Sequence, residues 1–130
     1  MKTLALIALI FTTAAHAQTR MSGAEFDALS QGTTMYFTEN GQFYGAEQFL
    51  PDRRSVWRAE DGTCVNGKWN EEKGSLCFLY DNGDGPYCWD ITGSIEDMTI
   101  TSTTGPDPLV LKLSGQDTTP IICTGPAFGV

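Results

Sequence analysis

Two cysteines placed symmetrically about an Asn-Gly turn restrict this chain more than any other feature of its sequence. The segment from Ser75 to Ile91 reads SLCFLYD, then NG, then DGPYCWDI. Asn-Gly is the preferred central pair of a two-residue type I′ turn, because both positions need a positive φ. Counting outward from Asn82-Gly83 sets Cys77 opposite Cys88, within disulfide distance. The segment therefore predicts an antiparallel hairpin closed by a disulfide.

The apolar residues of the hairpin agree with this register. It sets Tyr80 against Gly85, and it pairs the large apolar residues Phe78 with Tyr87 and Leu76 with Trp89. These apolar side chains then share one face of the hairpin, and the cysteines share the other. A bulge at Gly85-Pro86 would change the count.

Strand signals recur along the chain at the spacing of roughly 8 to 12 residues that is typical of barrels and sandwiches. Turn residues such as Asn40-Gly41, Pro51-Asp52 and Asp61-Gly62 separate them. The expected strands lie at residues 33–37, 42–49, 55–59, 63–70, 75–81, 84–91, 98–102, 109–113 and 121–123. Sequential hairpins pair neighbouring strands, and closure protects the sheet edges. The predicted fold is mainly β, an antiparallel up-and-down meander forming a small barrel or half-barrel, with a two-sheet sandwich as the alternative.

One short helix is expected ahead of the strands, within residues 18–31. Ser22 and Glu25 form a capping box, and Met21 and Phe26 occupy the positions of a hydrophobic staple. Gly32 can end the helix in the left-handed conformation. We expect a helix of about two turns that docks on the sheet or over one barrel end.

Residues 1–17 have the pattern of an export signal. Lys2 supplies a positive charge, an apolar run extends from Leu4 to Phe11, and Ala15-His-Ala17 is a small-x-small cleavage site. The run is too short to span a bilayer, and no later run approaches the required length. We expect cleavage after Ala17, a periplasmic or secreted protein with no membrane anchor, and a single β-rich domain over 18–130 whose sheet occupies 33–125.

The four cysteines of an exported chain are expected to form two disulfides. The preferred connectivity is Cys77–Cys88 with Cys64–Cys123. The spacing contains no C-x-x-C pair, so no metal site is predicted.

The charge balance narrows the possible partners. The chain has 16 acidic and 8 basic residues, and removal of the signal would take away Lys2 and His16, the only histidine. A phosphate backbone would be repelled over most of such a surface, so no nucleic-acid partner is expected. Catalysis of the Ser-His-Asp or Cys-His kind is excluded in the mature chain, because no histidine is left to act as base.

Carboxylates are plentiful, but nearly all lie in turns. A carboxylate-based glycan hydrolase is therefore only an alternative. The segment Asp81-Asn-Gly-Asp-Gly85 resembles a calcium loop but fails the EF-hand spacing. No catalytic residue and no cofactor are predicted.

A small cluster of arginines and aromatic residues gives the candidate ligand contacts. Arginine binds carboxylate or phosphate through two hydrogen bonds. The alternative is a charged turn whose arginines pair with nearby acids such as Glu47. Most aromatic side chains are expected to fill the core, but those lining an open mouth would form an apolar ligand site or a protein-binding patch. The predicted contacts are Arg53, Arg54, Arg58, Trp57, Tyr44 and Trp69.

Three segments carry motifs that are specific in combination. They are Ser22-Gly-Ala-Glu-Phe-Asp-Ala-Leu, Tyr44-Gly-x-Glu47-x-x-Leu50-Pro51-x-Arg53-Arg54-x-x-Trp57, and Cys64-x-x-Gly67-x-Trp69 with Leu76-Cys77-Phe78-x-Tyr80 and Cys88-Trp89. Together they resemble a family of small exported proteins of alphaproteobacteria that has no assigned function. The resemblance spans roughly residues 22 to 91. It implies export and a β-rich domain, and it supplies no catalytic residue, ligand or partner.

The predicted function is non-catalytic binding of a small ligand or a cell-envelope component. The alternative within binding is a periplasmic or secreted inhibitor or interaction protein. Such a protein would use loops such as Glu60-Asp-Gly and Asn82-Gly-Asp-Gly.

Overall fold

The protein is a closed barrel of eight antiparallel strands, in which each strand pairs with the next and the last pairs with the first. The computed structural model describes Ala14 and residues 18–125. The elements are α1 (Gly23–Ser30), β1 (Thr34–Glu39), β2 (Gln42–Leu50), a 3₁₀ turn (Pro51–Arg53), β3 (Arg54–Ala59), β4 (Cys64–Glu72), β5 (Ser75–Tyr80), β6 (Tyr87–Thr92), β7 (Thr99–Ser102) and β8 (Val110–Asp117). The predicted up-and-down class is confirmed, and the sheet closes as a barrel rather than splitting into a sandwich.

The predicted export signal, residues 1–17, lies outside the described residues except for Ala14. Within the described part of the chain, no helix has the length and apolar character needed to cross a membrane.

The hairpin of β5 and β6 has the predicted register. The ladder pairs Leu76 with Trp89, Cys77 with Cys88, and Phe78 with Tyr87. The two cysteines form a disulfide, as expected from their opposed positions. The second predicted disulfide, Cys64–Cys123, is also present.

The turn of this hairpin differs from the prediction. The amide of Gly83 donates to the carbonyl of Tyr80, and the amide of Tyr80 donates to the carbonyl of Asp84, both at 3.0 Å. Gly83 has a φ of 89°, whereas Asn82 is not in the positive region, so the predicted type I′ turn is wrong. The loop has three residues, which shifts the pairing by one. The extra residue at Gly85-Pro86 shifts it back and restores the predicted register.

Type I′ geometry occurs at two other hairpins. Asn40 and Gly41 have φ values of 49° and 79°, and Lys73 and Gly74 have values of 52° and 82°. Each pair joins strands whose flanking residues are direct partners.

The helix α1 closes one end of the barrel. Phe26 meets the rings of Phe49 and Trp69 edge-on, at centroid distances of 5.2 and 5.4 Å. The predicted capping box is confirmed: the Glu25 amide donates to Ser22 Oγ at 3.1 Å, and the Ser22 amide donates to Glu25 Oε2 at 3.2 Å. The capping box therefore sets where the helix begins, and Phe26 of the same helix covers the end of the barrel.

The segment after β8 crosses the outer wall instead of adding a strand, so the strand predicted at 121–123 is wrong. Thr34 Oγ1 donates to the Thr119 carbonyl at 2.7 Å, and the Ile121 amide donates to Gln48 Oε1 at 3.0 Å. The disulfide to Cys64 fastens its end. Its backbone groups bond to side chains and loops, which explains why an apolar run here does not extend the sheet.

Candidate functional site

The open half of the barrel contains a cavity of about 460 Å³. Its deep end is lined by Phe26, which belongs to the closing helix α1, and by Phe49. It extends to the opposite end of the barrel, where the exposed residues Asp84, Tyr87 and Asp107 form its mouth. An eight-stranded barrel has an interior just wide enough for side chains to fill or for one small ligand. Here side chains fill the half of the interior next to α1, which we call the closed half. The cavity occupies the half that ends at the mouth, which we call the open half.

Strand alternation sends the site residues inward. On β2, Glu47 and Phe49 face the cavity, and on β5, Phe78 and Tyr80 do so. Trp57 on β3 is the direct cross-strand partner of Glu47. The carboxylate and the indole are therefore neighbours on the inner wall.

Glu47 is a buried carboxyl group inside this mostly apolar cavity, with only 3% of its surface exposed. The Tyr80 hydroxyl donates to it, 3.1 Å from Oε2 and 3.4 Å from Oε1. Burial raises the pKa of Glu47 to about 7, although the hydroxyls of Ser55 and Tyr80 offset part of the rise. The group thus changes its charge near neutral pH.

Tyr80 remains a hydrogen-bond donor over the same pH range. Burial, and then the neighbouring Glu47 carboxylate, raise the pKa of its hydroxyl well above the usual value. The pair therefore consists of a titrating carboxyl group and a fixed donor.

Two glycines on the inner wall make room for the large rings. A Cβ at Gly67 would lie 2.6 Å from Cδ1 of Tyr80, and a Cβ at Gly45 would overlap the ring of Trp57. Neither glycine has a positive φ, so the close approach of the rings explains the residue type.

Aromatic rings surround the approach to Glu47. Trp57 stacks on Phe37 with a centroid distance of 6.4 Å and lies 5.8 Å from Tyr44. Tyr87, at the mouth, is 6.2 Å from Tyr80. The cavity therefore presents π faces to anything that enters it.

Within residues 18–125, the charged residues that line the cavity are all acidic: Glu47, Asp84 and Asp107. Glu39 lies close enough to Tyr44 to act with burial, the larger effect, in raising the pKa of its hydroxyl. The site and its approach are therefore electronegative.

The residues predicted from the sequence to contact a ligand do not all lie in one place. Tyr44 and Trp57 line the cavity, as predicted for aromatic residues at an open mouth. Trp69 is buried in the closed half, stacked on Phe78. Arg53 lies over the Trp69 ring at 4.7 Å and pairs with Asp27 at 3.6 Å.

The other two arginines also lie away from the cavity lining. Arg54 is exposed at the start of β3, opposite Lys68. Arg58 is the register partner of Cys64 and adjoins the inward-facing Trp57, so it faces outward. An anion site at the three arginines stays a prediction. The suggested pairing of arginines with Glu47 is wrong, because the carboxylate is buried with Tyr80.

Sequence reasoning missed Glu47 and Tyr80 as a pair. Alternation along β2 could have placed Glu47 inward, since it lies two residues from the core residue Phe49. Its partner could not be found this way, because β5 is not adjacent to β2 in the sheet.

In residues 18–125 no group of three or more His, Cys, Asp or Glu side chains is arranged to hold a metal ion. Asp84, in the loop that resembles a calcium site, accepts from Asn82 Nδ2 at 2.8 Å.

Comparisons with known proteins give no relative: the chain matches no family model, no curated protein and no solved structure. The family resemblance of its motifs stays a prediction.

Proposed function

We propose that this protein binds a small, mostly apolar molecule inside its barrel, without catalysing a reaction. The observation that carries the proposal is the cavity of about 460 Å³ that begins at Phe26 and opens at the mouth. Ligand sites in proteins commonly measure about 300 to 1,000 Å³, with apolar and aromatic walls and a few convergent polar groups. The Glu47–Tyr80 pair is such a polar group in a wall made mostly of aromatic and aliphatic side chains.

We also propose that the protein works outside the cytoplasm. Disulfides form and persist in oxidising compartments, and the described part of the chain carries two, Cys64–Cys123 and Cys77–Cys88. The signal pattern of residues 1–17 supports the same compartment.

Titration with 1-aminoanthracene tests the binding function. This neutral aromatic dye is small enough for the cavity, and its fluorescence rises in an apolar site. We expect saturable binding with one dye molecule per chain.

A matched pair of variants locates the bound dye. Leu109→Trp places a large ring in the cavity wall, whereas Leu79→Trp places it on the outer surface, where Leu79 is 42% exposed. The first variant should weaken binding about ten-fold or more, and the second should leave it unchanged. Absence of saturable binding, or equal loss in both folded variants, would contradict the proposal.

A further inference from the structure

We propose that the natural ligand is a hydrophobic cation, an ammonium compound with an aromatic or alkyl body, whose charge lies between the Glu47 carboxylate and the aromatic rings of the cavity. This inference rests on the proposed binding function and names the class of ligand.

The negative charge inside the barrel is not balanced by the residues that line it. Of the described residues, the charged ones in the cavity lining are Glu47, Asp84 and Asp107, and none of them is a lysine, an arginine or a histidine. The ion pairs found in the described residues lie elsewhere, at Arg20–Asp90, Arg53–Asp27 and Lys112–Asp97. A buried carboxylate is costly unless it is paired. A cationic ligand would supply the missing partner.

Aromatic rings lie beside the carboxyl group of Glu47. Trp57 is the cross-strand neighbour of Glu47, and Tyr80 reaches the same carboxylate from β5. Tyr44 packs against Trp57 at 5.8 Å. An ammonium group within about 6 Å of an aromatic centroid is attracted by the ring quadrupole, most strongly when it is desolvated. The rings and the carboxylate therefore favour the same charge at the same place.

Anionic and neutral ligands suit the cavity less well than a cation. An anionic ligand would pass the acids of the mouth and then meet Glu47, so it would be repelled at both places. A neutral ligand would give the ionised form of Glu47 no cation, so it would leave the carboxyl group protonated up to about neutral pH and gain nothing from its charge. Only a cation is attracted both by the acidic residues of the mouth and by the ionised Glu47 inside the cavity.

Among the described residues, the groups that face Glu47 include no positive charge. Tyr80 faces it from β5 and Ser55 lies beside it on β3, while Tyr44 and Tyr87 approach Tyr80 from β2 and β6. Each of these is an uncharged hydroxyl group at neutral pH. Binding of a cation should therefore depend on the charge of Glu47 itself.

Three probes of nearly equal shape separate the contributions of charge and size. They are trimethyl(2-naphthylmethyl)ammonium, its uncharged carbon isostere 2-neopentylnaphthalene, and the anion 2-naphthylacetate. Equilibrium dialysis at pH 8 measures the affinity of each for the wild type and for Glu47→Gln. Glutamine keeps the shape of the side chain and an acceptor for Tyr80, so this variant should fold, and its circular dichroism provides the check.

We expect the wild type to bind the ammonium probe about ten-fold more tightly than the isostere, and the anion most weakly. Glu47→Gln should reduce the preference for the ammonium probe to about three-fold or less, with little change for the isostere. Trp57→Leu, a second variant, should weaken the ammonium probe more than the isostere.

Equal binding of cation and isostere, or a preference that survives Glu47→Gln, would overturn the inference while leaving the proposed function intact. If 1-aminoanthracene binds in the cavity but the ammonium probe does not, the inference is likewise wrong. If neither the dye nor any naphthyl probe binds, the proposed function fails, and the inference fails with it.

Discussion

The hydroxyl of Tyr80 on β5 donates to the buried carboxylate of Glu47 on β2 at 3.1 Å. Two strands separate β2 from β5 in the sheet, so this bond crosses the interior of the barrel. It joins the one strongly perturbed carboxyl group of the described residues to a fixed donor. The pH dependence of the protein's stability should therefore be set by the Glu47–Tyr80 pair in the cavity.

Stability of the ligand-free protein should fall as pH rises from 5 to 8. Burial raises the pKa of Glu47 to about 7, above the usual value of 4.5. The folded state therefore binds this proton more tightly than the unfolded state. The stabilisation is fully present below the unfolded pKa and is lost as pH rises through 7. Linkage gives a loss of about 2 to 3 kcal/mol, measurable by urea unfolding at several pH values.

Glu47→Gln should flatten this pH profile, because glutamine does not titrate. The exposed residue Glu72 offers a control, and Glu72→Gln should keep the wild-type slope. A slope retained in Glu47→Gln would assign the pH dependence to another group.

Tyr80→Phe should raise the pKa of Glu47 still further. The hydroxyl of Tyr80 donates to the ionised carboxylate and so lowers the pKa of that group. Its loss should move the midpoint of the stability profile upward by about one pKa unit. Carbon-13 NMR of labelled glutamate would follow the carboxyl group directly. Tyr36→Phe is the control, because the Tyr36 hydroxyl bonds to Asp117 on the outside; an equal shift there would refute the specific role of Tyr80.

Gly67→Ala should destabilise the barrel and displace the ring of Tyr80. The added Cβ would lie 2.6 Å from Cδ1 of that ring and 3.1 Å from the Leu79 carbonyl oxygen. Overpacking of this kind costs about 1 to 3 kcal/mol. Gly115→Ala is the matched control, because its Cβ would meet only Tyr36, at 3.7 Å. Chemical denaturation of both variants should show a loss for the first alone, and equal stabilities would contradict the packing argument.

The two disulfides should contribute unequally to stability. Cys64–Cys123 spans 59 residues and Cys77–Cys88 spans 11. In the chain-entropy model the longer loop is worth about 4 kcal/mol and the shorter about 3. Double alanine variants of each pair, unfolded in urea, should differ in this order. The reverse order would show that loop entropy does not dominate here.

The covalent and local features of the fold could be predicted from the sequence. The capping box of Ser22 and Glu25 and the opposed cysteines of β5 and β6 depend on residues that are close in the chain or related by one turn. The turn at Asn82-Gly83 could not be predicted correctly, because the bulge at Gly85-Pro86 compensates for a three-residue loop. The loop is one residue longer than predicted, and the extra residue at Gly85-Pro86 shifts the pairing back by one. The observed register therefore equals the predicted register, although the turn type differs.

The site was harder to predict than the fold, because it depends on barrel closure. Closure brings Glu47 and Tyr80 together across the interior, and no spacing in the chain records that contact. The arginines were predicted to contact the ligand together with Trp57 because they are close to it in sequence. In a strand, however, neighbours point to opposite faces, so Arg58 and Trp57 are separated by the barrel wall.

Binding of a permanently charged ammonium probe should strengthen as pH rises through 7. Trimethyl(2-naphthylmethyl)ammonium cannot lose a proton, so any pH dependence must come from the protein. Its charge is favoured by the ionised form of Glu47, whose pKa is about 7. The affinity should therefore be about three- to five-fold weaker at pH 6 than at pH 8 and should level off above pH 8. In Glu47→Gln the affinity should be low and nearly constant, and a profile that keeps its rise would mean that a different group attracts the cation.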